Sequence, residues 1–430
     1  MNYAGPAEEI PARSGLELTP FRGLRYDPDR VGSLAAVTSP PYDVVVRPDG
    51  LLHLESADPY NIVRLILPQA GTPAARDAQA ADTLRRWLTE GVLAPDAEPG
   101  LYVYEQADDS ILQRGLIGAL RLSEPSAGVV LPHEDVIPHV IADRAALMRA
   151  TSTNMEPLLL TYRGNGSTAG ATAVVERTTR RAPLLRTTTE DGFRHRLWAV
   201  TDPADLAEIQ SDLAHHQALI ADGHHRWATY LRLRTEHPSP SPWDYGLVLL
   251  VDTARYPLRV RAIHRLLHRL PVQKALTALN GRFRVRTLAV PLPEALCALA
   301  DAAADGNAFL LAGDGSFHLV DRPDPALLAR TIPADRPAAW RTLDATVLHA
   351  VLLDHIWHIP EDSPAHIAYI HDTAATVEKA ERDGGTAVLM HPVREEVVRD
   401  LARQGVTMPR KSTSFGPKPA SGLVLRALEL

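Results

Sequence analysis

Gln217-Ala-Leu-Ile-Ala-Asp-Gly-His-His-Arg226 is the stretch on which the reading of this chain turns. Leu219, Ile220 and Ala221 make a short apolar run of the kind that forms a buried strand. Asp222-Gly223 then signals a turn. Beyond it, Trp227, Tyr230 and Leu231 fall at helical spacing. The segment predicts strand, tight turn, helix. A helix that opens directly after glycine points its first N–H groups outward, which makes an anion site. Arg226 adds a planar cation that never loses its charge. Asp222 is placed to hold a metal ion or take a proton. A surface turn with a local ion pair is the plain alternative. Three chemically capable side chains directly after the glycine favour function.

Composition bounds the rest. With 430 residues the chain can bury a large core and form two or three domains. Hydrophobic residues at 45% and charged ones at 23% fit a folded globular protein rather than a disordered one. The net charge of −7 argues against a nucleic-acid footprint. A single cysteine, Cys297, sits in an Ala/Leu helix and reads as a buried structural thiol. No apolar run approaches the roughly 20 residues of a membrane span. The first residues lack a signal peptide's basic and apolar regions. A cytoplasmic location and no membrane partner are therefore expected.

Upstream of the motif, Val37-Thr-Ser-Pro-Pro-Tyr-Asp-Val-Val45 reads as a stiff loop carrying Ser39, Tyr42 and Asp43, suited to a ligand wall. Residues 61–67 read as a strand and 74–90 as a helix. Two strands over 101–105 and 111–122 flank an Asp108-Asp-Ser110 turn. Arg64 is a candidate for a phosphate, a carboxylate or a surface ion pair. Leu131-Pro-His-Glu-Asp-Val-Ile-Pro-His139 places its histidines six apart across a proline, which rules out a zinc-protease helix. Its Glu134 is a candidate base or Mg²⁺ ligand. Gly164-Asn-Gly-Ser-Thr-Ala-Gly170 matches neither phosphate-loop spacing and reads as a flexible turn.

Downstream, 245–252 reads as a central strand, and 258–267 as an alternating run that turns helical. From about 271 strands and helices alternate, so 1–270 and 271–430 are expected as two domains, the second α/β. An apolar helix is expected over 343–357. The tail Met408-Pro-Arg-Lys-Ser-Thr-Ser-Phe-Gly-Pro-Lys418 sets Lys411 and Lys418 around Ser412 and Thr413. It reads as an anion-binding loop anchored by a strand over 423–428.

Asp222-Gly-His-His-Arg226 resembles the phosphate-binding motif of the ParB/sulfiredoxin superfamily, and free serine kinases are the nearest in motif. The sulfiredoxin branch lacks support, because its cysteine is missing. The whole chain resembles a family catalogued as domain of unknown function 1015, through Ser39-Pro-Pro-Tyr-Asp43, Asn61-Ile-Val-Arg64, Leu101-Tyr-Val-Tyr104, His133-Glu134, the Asp222 motif and the 408–418 tail. The resemblance implies a mixed α/β fold, with a ParB/sulfiredoxin-like nucleotide-binding portion before the C-terminal α/β domain. It implies an ATP- or ADP-dependent small-molecule kinase acting on a hydroxylated metabolite, free serine or an analogue. Gly223, His225 and Arg226 would hold phosphates, with Lys411, Ser412, Thr413 and Lys418 beside them. Mg²⁺ would sit on Asp222 or Glu134, and His224 would bind phosphate or move a proton. His225 departs from the kinases, which often carry threonine there. The catalytic acid falls outside the motif, with Glu134 and Asp43 as competing choices. A nucleotide-binding switch without turnover and a metal-dependent hydrolase are the alternatives. Partners expected are a nucleotide and a small substrate, with a homodimer left open.

Overall fold

The computed structural model of the protein describes residues 15–40, 50–166, 169–360 and 363–429. The chain forms two units. The first takes residues up to 132, then 136–258 and 417–430; the second takes 133–135 and 259–416. Both mix helices and strands.

In the first unit, β1 (Leu18–Thr19), β2 (Leu24–Tyr26) and β3 (Leu93–Pro95) precede a long hairpin of β4 (Leu101–Ala107) and β5 (Leu112–Arg121). Asp108 closes the hairpin, its carboxylate accepting from the N–H groups of Ser110 and Ile111 at 2.7 and 2.8 Å. Next come β6 (Val130–Leu131), β7 (Thr153–Asn154), β8 (Leu158–Tyr162), β9 (Leu185–Thr188), β10 (Arg194–Val200), β11 (Ala218–Asp222) and β12 (Tyr245–Asp252). The main sheet runs β6-β11-β8-β12-β5-β4-β10-β9, with β1 added to β5. β8 and β12 pair in parallel and are buried almost throughout, which is why both read as continuous apolar runs.

The helices of this unit are α1 (Leu34–Val37), α2 (Gly50–Ala57), α3 (Val63–Ile66), α4 (Pro73–Thr89), α5 (Pro138–Thr151), α6 (Ala171–Thr178), α7 (Pro203–Leu213) and α8 (His224–Arg234). Thr72 caps α4 by accepting from Ala75 N, and Pro73 occupies the first turn. Ala80, Leu84 and Trp87 form its buried stripe, and Leu84 and Trp87 pack in one core with Tyr26, Ile62 and Leu65. The strand expected over 61–67 is instead the helical turn α3. Asn61 causes this: its side-chain oxygen accepts from Val63 N at 2.9 Å, and Leu67 N then bonds Val63 O at 2.8 Å.

The second unit contains β13 (Arg259–Arg261), β14 (His264–Leu267), β15 (Arg284–Leu288), β16 (Ala308–Ala312), β17 (Phe317–Asp321), β18 (Ile367–Ile370), β19 (Thr386–Met390) and β20 (Ser414–Gly416). Its six-stranded sheet runs β15-β17-β16-β19-β14-β18, while β13 pairs with β20. The helical turn expected near 264 does not form. β14 is buried at each of its positions between β18 and β19, and sheet pairing overrides local preference there. The apolar helix expected over 343–357 starts as an α-helix and continues as a π-helix over Leu348–Ile356. Cys297 is exposed rather than buried: its helix buries Ala295 and Leu299, and a residue two positions from Ala295 faces away. The chain ends in the first unit with β21 (Arg426–Ala427) against β7. Among the described residues no helix is long and apolar enough to cross a membrane.

One buried histidine makes the first unit sensitive to acid. His195 on β10 is 3% exposed, with Nδ1 2.8 Å from Tyr104 Oη and Nε2 2.9 Å from Thr189 Oγ1. Burial pushes its pKa down to about 4 from 6.5. The unfolded chain therefore takes a proton before the folded one, so stability is whole above pH 6.5 and falls as pH drops toward 4. Urea unfolding should show a loss of roughly 3 kcal/mol across that window, and His195→Gln should flatten it. A pH-independent midpoint in the parent chain would refute the assignment.

Candidate functional site

β11 and α8 realise the strand–turn–helix read from the sequence. β11 lies between β6 and β8, and its register shifts between Ile220 and Asp222. Such an irregularity re-aims the side chain at a strand's end. Gly223 follows with φ of +100°, a left-handed conformation that favours glycine. A Cβ there would lie 3.0 Å from Leu158 Cγ and 3.2 Å from Arg226 Nε. The glycine thus permits both the bend and the return of the Arg226 guanidinium over it. It brings no capping side chain to the start of α8.

Three charged side chains converge at this bend. Arg226 donates through Nη2 to Asp222 Oδ2 at 2.8 Å and through Nη1 to Pro157 O at 3.1 Å. Lys418 Nζ lies 2.6 Å from Asp222 Oδ1. The side chains are 11%, 17% and 15% exposed for Arg226, Asp222 and Lys418, so solvent screens the cluster weakly. Burial alone would raise the Asp222 carboxyl, but Lys418 and Arg226 hold it below the usual carboxylate range. Two cations thus meet one carboxylate at a helix start, where the helix dipole favours negative charge.

The remaining expected site residues divide by place. His224 is buried beside the cluster, 6% exposed. His225 accepts from Ile137 N through Nε2 at 3.0 Å, which puts its proton on Nδ1 and ties that ring to the entry of α5. Glu134, Lys411, Ser412 and Thr413 belong to the second unit. There His133 O accepts from Met408 N, and His133 Nε2 lies 3.1 Å from Thr413 Oγ1. Ser412 donates to Pro409 O. Ser412 and Thr413 are buried, and Lys411 is exposed with φ of +56°. Asp43 lies outside the described residues.

A resident metal ion does not fit Asp222. Both of its oxygens take cationic donors, and a dication there would be repelled by Lys418 and Arg226. Among the described residues no three His, Cys, Asp or Glu side chains are grouped to hold one.

Two cavities flank α3. One of about 40 Å³ adjoins Arg226 and is lined by Ile66, Met148, Glu156 and Tyr230. The other, about 810 Å³, lies between α2–α3 and α4, where Arg64 and Arg86 face Glu55 and Asp82. Arg64 donates to Glu55 O at 2.7 Å, so its candidacy for a surface ion pair gives way to a backbone bond at a cavity wall.

The sequence profile of the family described as protein of unknown function (DUF1015) matches residues 18–346. The chain belongs to this family. No curated protein matches it. Among solved structures, a free serine kinase in complex with AMP is 15% identical, covering 70% of this chain and 90% of its own, at a TM-score of 0.35. A conserved hypothetical protein from Pyrococcus furiosus is also 15% identical, with coverages of 70% and 93% and a TM-score of 0.35. SbnI with a C-terminal truncation, from Staphylococcus aureus, is 8% identical, with coverages of 72% and 87% and a TM-score of 0.37. Likenesses this loose assign no role to any residue.

For this DUF1015 chain the sequence reading missed Glu156, Pro157 and Ser421. Glu156 is 7% exposed and accepts from Ser421 Oγ at 3.1 Å. Glu156-Pro157 stands just before a strand, where an acid followed by proline looks like an ordinary connector. A signal did exist in the tail, because Ser421 lies three residues beyond Lys418 and pairs its backbone with Ser39, another stretch singled out.

Removing the counter-charge should be costly. Asp222→Asn is expected to destabilise the fold by about 3 kcal/mol at neutral pH, since it removes the carboxylate that bonds both largely buried cations. The contribution of Asp222 is complete above the ordinary carboxylate pKa and is lost as pH falls through its lower native value. The gap between parent and variant should therefore close in strong acid, as read by urea midpoints at pH 7 and pH 3. Gly223→Ala should cost about 1–2 kcal/mol through φ alone. Equal midpoints at pH 7 for parent and Asp222→Asn would sink the ion-triad account.

Proposed function

We propose that this protein is a nucleotide-dependent kinase of small molecules, using ATP or ADP to phosphorylate a hydroxylated metabolite, with free serine or an analogue as the acceptor class. The carrying observation is the Asp222–Arg226–Lys418 triad set at the start of α8 behind Gly223. Phosphoryl transfer asks little covalent chemistry of a protein. It asks for positioned positive charge around the transferring group. Arg226 presents a fork that suits phosphate oxygens, and Lys418 presents a point charge. His224 sits at the first helical position, where its backbone N–H adds to the same anion site. Mg²⁺ enters on the nucleotide as part of the substrate, held by the phosphates.

The second reading is a nucleotide-binding switch without turnover. One observation favours it: both oxygens of Asp222 are engaged, so the triad can hold a polyphosphate without offering a base. The proton acceptor for turnover must then come from elsewhere, with Glu134 and Asp43 as the candidates.

The two readings part in one assay series. Thermal unfolding with ATP, ADP, CTP or GTP, each with Mg²⁺, identifies the nucleotide, since a ligand of the native state raises Tm by mass action. Arg226→Ala should abolish that rise while the protein stays folded. Release of the spent nucleotide should then depend on adding a pool of hydroxylated amino acids. Binding without acceptor-dependent release supports the switch, and an undiminished rise in Arg226→Ala removes the phosphate assignment.

A further inference from the structure

Lys418 reaches Asp222 from the far end of the chain, and a buried amide pair holds the segment that carries it. Tyr104 and Gln106 alternate on β4, Gln113 opposes Gln106 across the hairpin, and His195 opposes Gln106 from β10. All four are at most 3% exposed. Gln106 Nε2 donates to Gln113 Oε1 at 2.6 Å and to Pro417 O at 3.0 Å. Gln113 Nε2 donates to the same carbonyl at 3.1 Å. Tyr104 Oη accepts from Ala420 N at 3.3 Å and lies 2.8 Å from His195 Nδ1. The residues on both sides of Lys418 are thus fixed to one face of the sheet, and the lysine side chain leaves that face toward Asp222.

Burying two carboxamides costs free energy unless their polar atoms are paired. Here three of those pairings end on a single tail carbonyl or on each other. A sheet face that only needed filling would use apolar residues, as the opposite face of β4 does at Leu101 and Val103. The geometry points to Gln106 and Gln113 as positioning residues that latch Pro417 and thereby set Lys418 against Asp222. The role in nucleotide binding rests on the reading of Lys418 as a phosphate cation; the latch itself does not.

The test uses the full-length protein and two readouts. The first is the acetylation rate of each lysine by an N-hydroxysuccinimide ester, followed by mass spectrometry. Lys274, Lys379 and Lys411 are exposed and serve as internal controls. Gln113→Met and the pair Gln106→Met with Gln113→Met keep side-chain length and remove the donors. Acetylation of Lys418 should rise by about fivefold or more in the pair and less in the single variant, with the controls unchanged, as expected if a local contact has been lost. The second readout is nucleotide affinity in a double-mutant cycle with Lys418→Ala. The Met pair should weaken binding by roughly tenfold when Lys418 is present and by less than about twofold when it is absent.

An unchanged Lys418 rate in folded Met variants overturns the latch. Should the pair fail to fold, Gln113→Met alone decides by the same rate. Equal weakening with and without Lys418 also overturns it, because the amides would then act on the fold at large. A raised Lys418 rate with unaltered nucleotide affinity upholds the latch and refutes instead the phosphate role of Lys418.

Discussion

One carboxylate shared between two cations is the constraint on which the bend between β11 and α8 depends. Asp222 cannot be left alone where it sits, and neither can Arg226 or Lys418. Satisfying all three fixes several otherwise independent features. β11 must break register to aim Asp222, residue 223 must tolerate a left-handed φ, and Arg226 must fold back over it to reach Pro157 O. The tail must also arrive from nearly two hundred positions downstream in sequence with Lys418 at the right height. What results is a pair of cations fixed on one carboxylate beside a helix N-terminus.

The same tail closes the fold. Ser421 exchanges backbone hydrogen bonds with Ser39, and Leu425 does so with Leu24, so the last residues are paired with some of the first described ones. Arg426 is 6% exposed and donates to Asn154 Oδ1, Tyr245 O and Pro242 O. Burial lowers its pKa to about 10, and three oxygen acceptors offset that cost. A segment anchored in this way is structural first. Its use at the site follows because an element pinned at 417, 420, 421 and 426 can present Lys418 without the entropy loss of ordering a free tail.

Local chemistry decided what could be read from the sequence. The β4–β5 hairpin was legible because alternation and an Asp-Asp-Ser turn agree, and the central motif because Asp-Gly separates an apolar run from a helical one. Residues 61–67 misled because Ile62, Val63 and Ile66 favour a strand, while Asn61 caps a helical turn that only tertiary packing rewards. The run near 264 misled for the opposite reason: burial of His264 and Arg265 comes from strands more than a hundred residues away. At the site, the residue types of the motif were visible, but their pairing was not. No spacing rule connects Lys418 to Asp222, or Gln106 to Pro417. Ser412 and Thr413 looked like ligand donors because hydroxyls between cations suit an anion, yet Ser412 bonds Pro409 O in its own loop and Thr413 meets the His133 ring.

The choice between enzyme and switch comes down to the proton. Asp222 could serve as a base only by giving up Lys418, and a carboxyl held below the usual range is a weak proton acceptor. That weakness matters less for phosphoryl transfer than for most reactions, because in the loose transition state the attacking hydroxyl is barely bonded to phosphorus, gains little positive charge, and can lose its proton late. Arg226 and Lys418 could then do most of the work, with proton removal late and undemanding. On that chemistry, two cations and their counter-ion would supply the positioned charge that the proposed kinase requires. What it needs in addition is a way to bring an acceptor hydroxyl into line with the held phosphate.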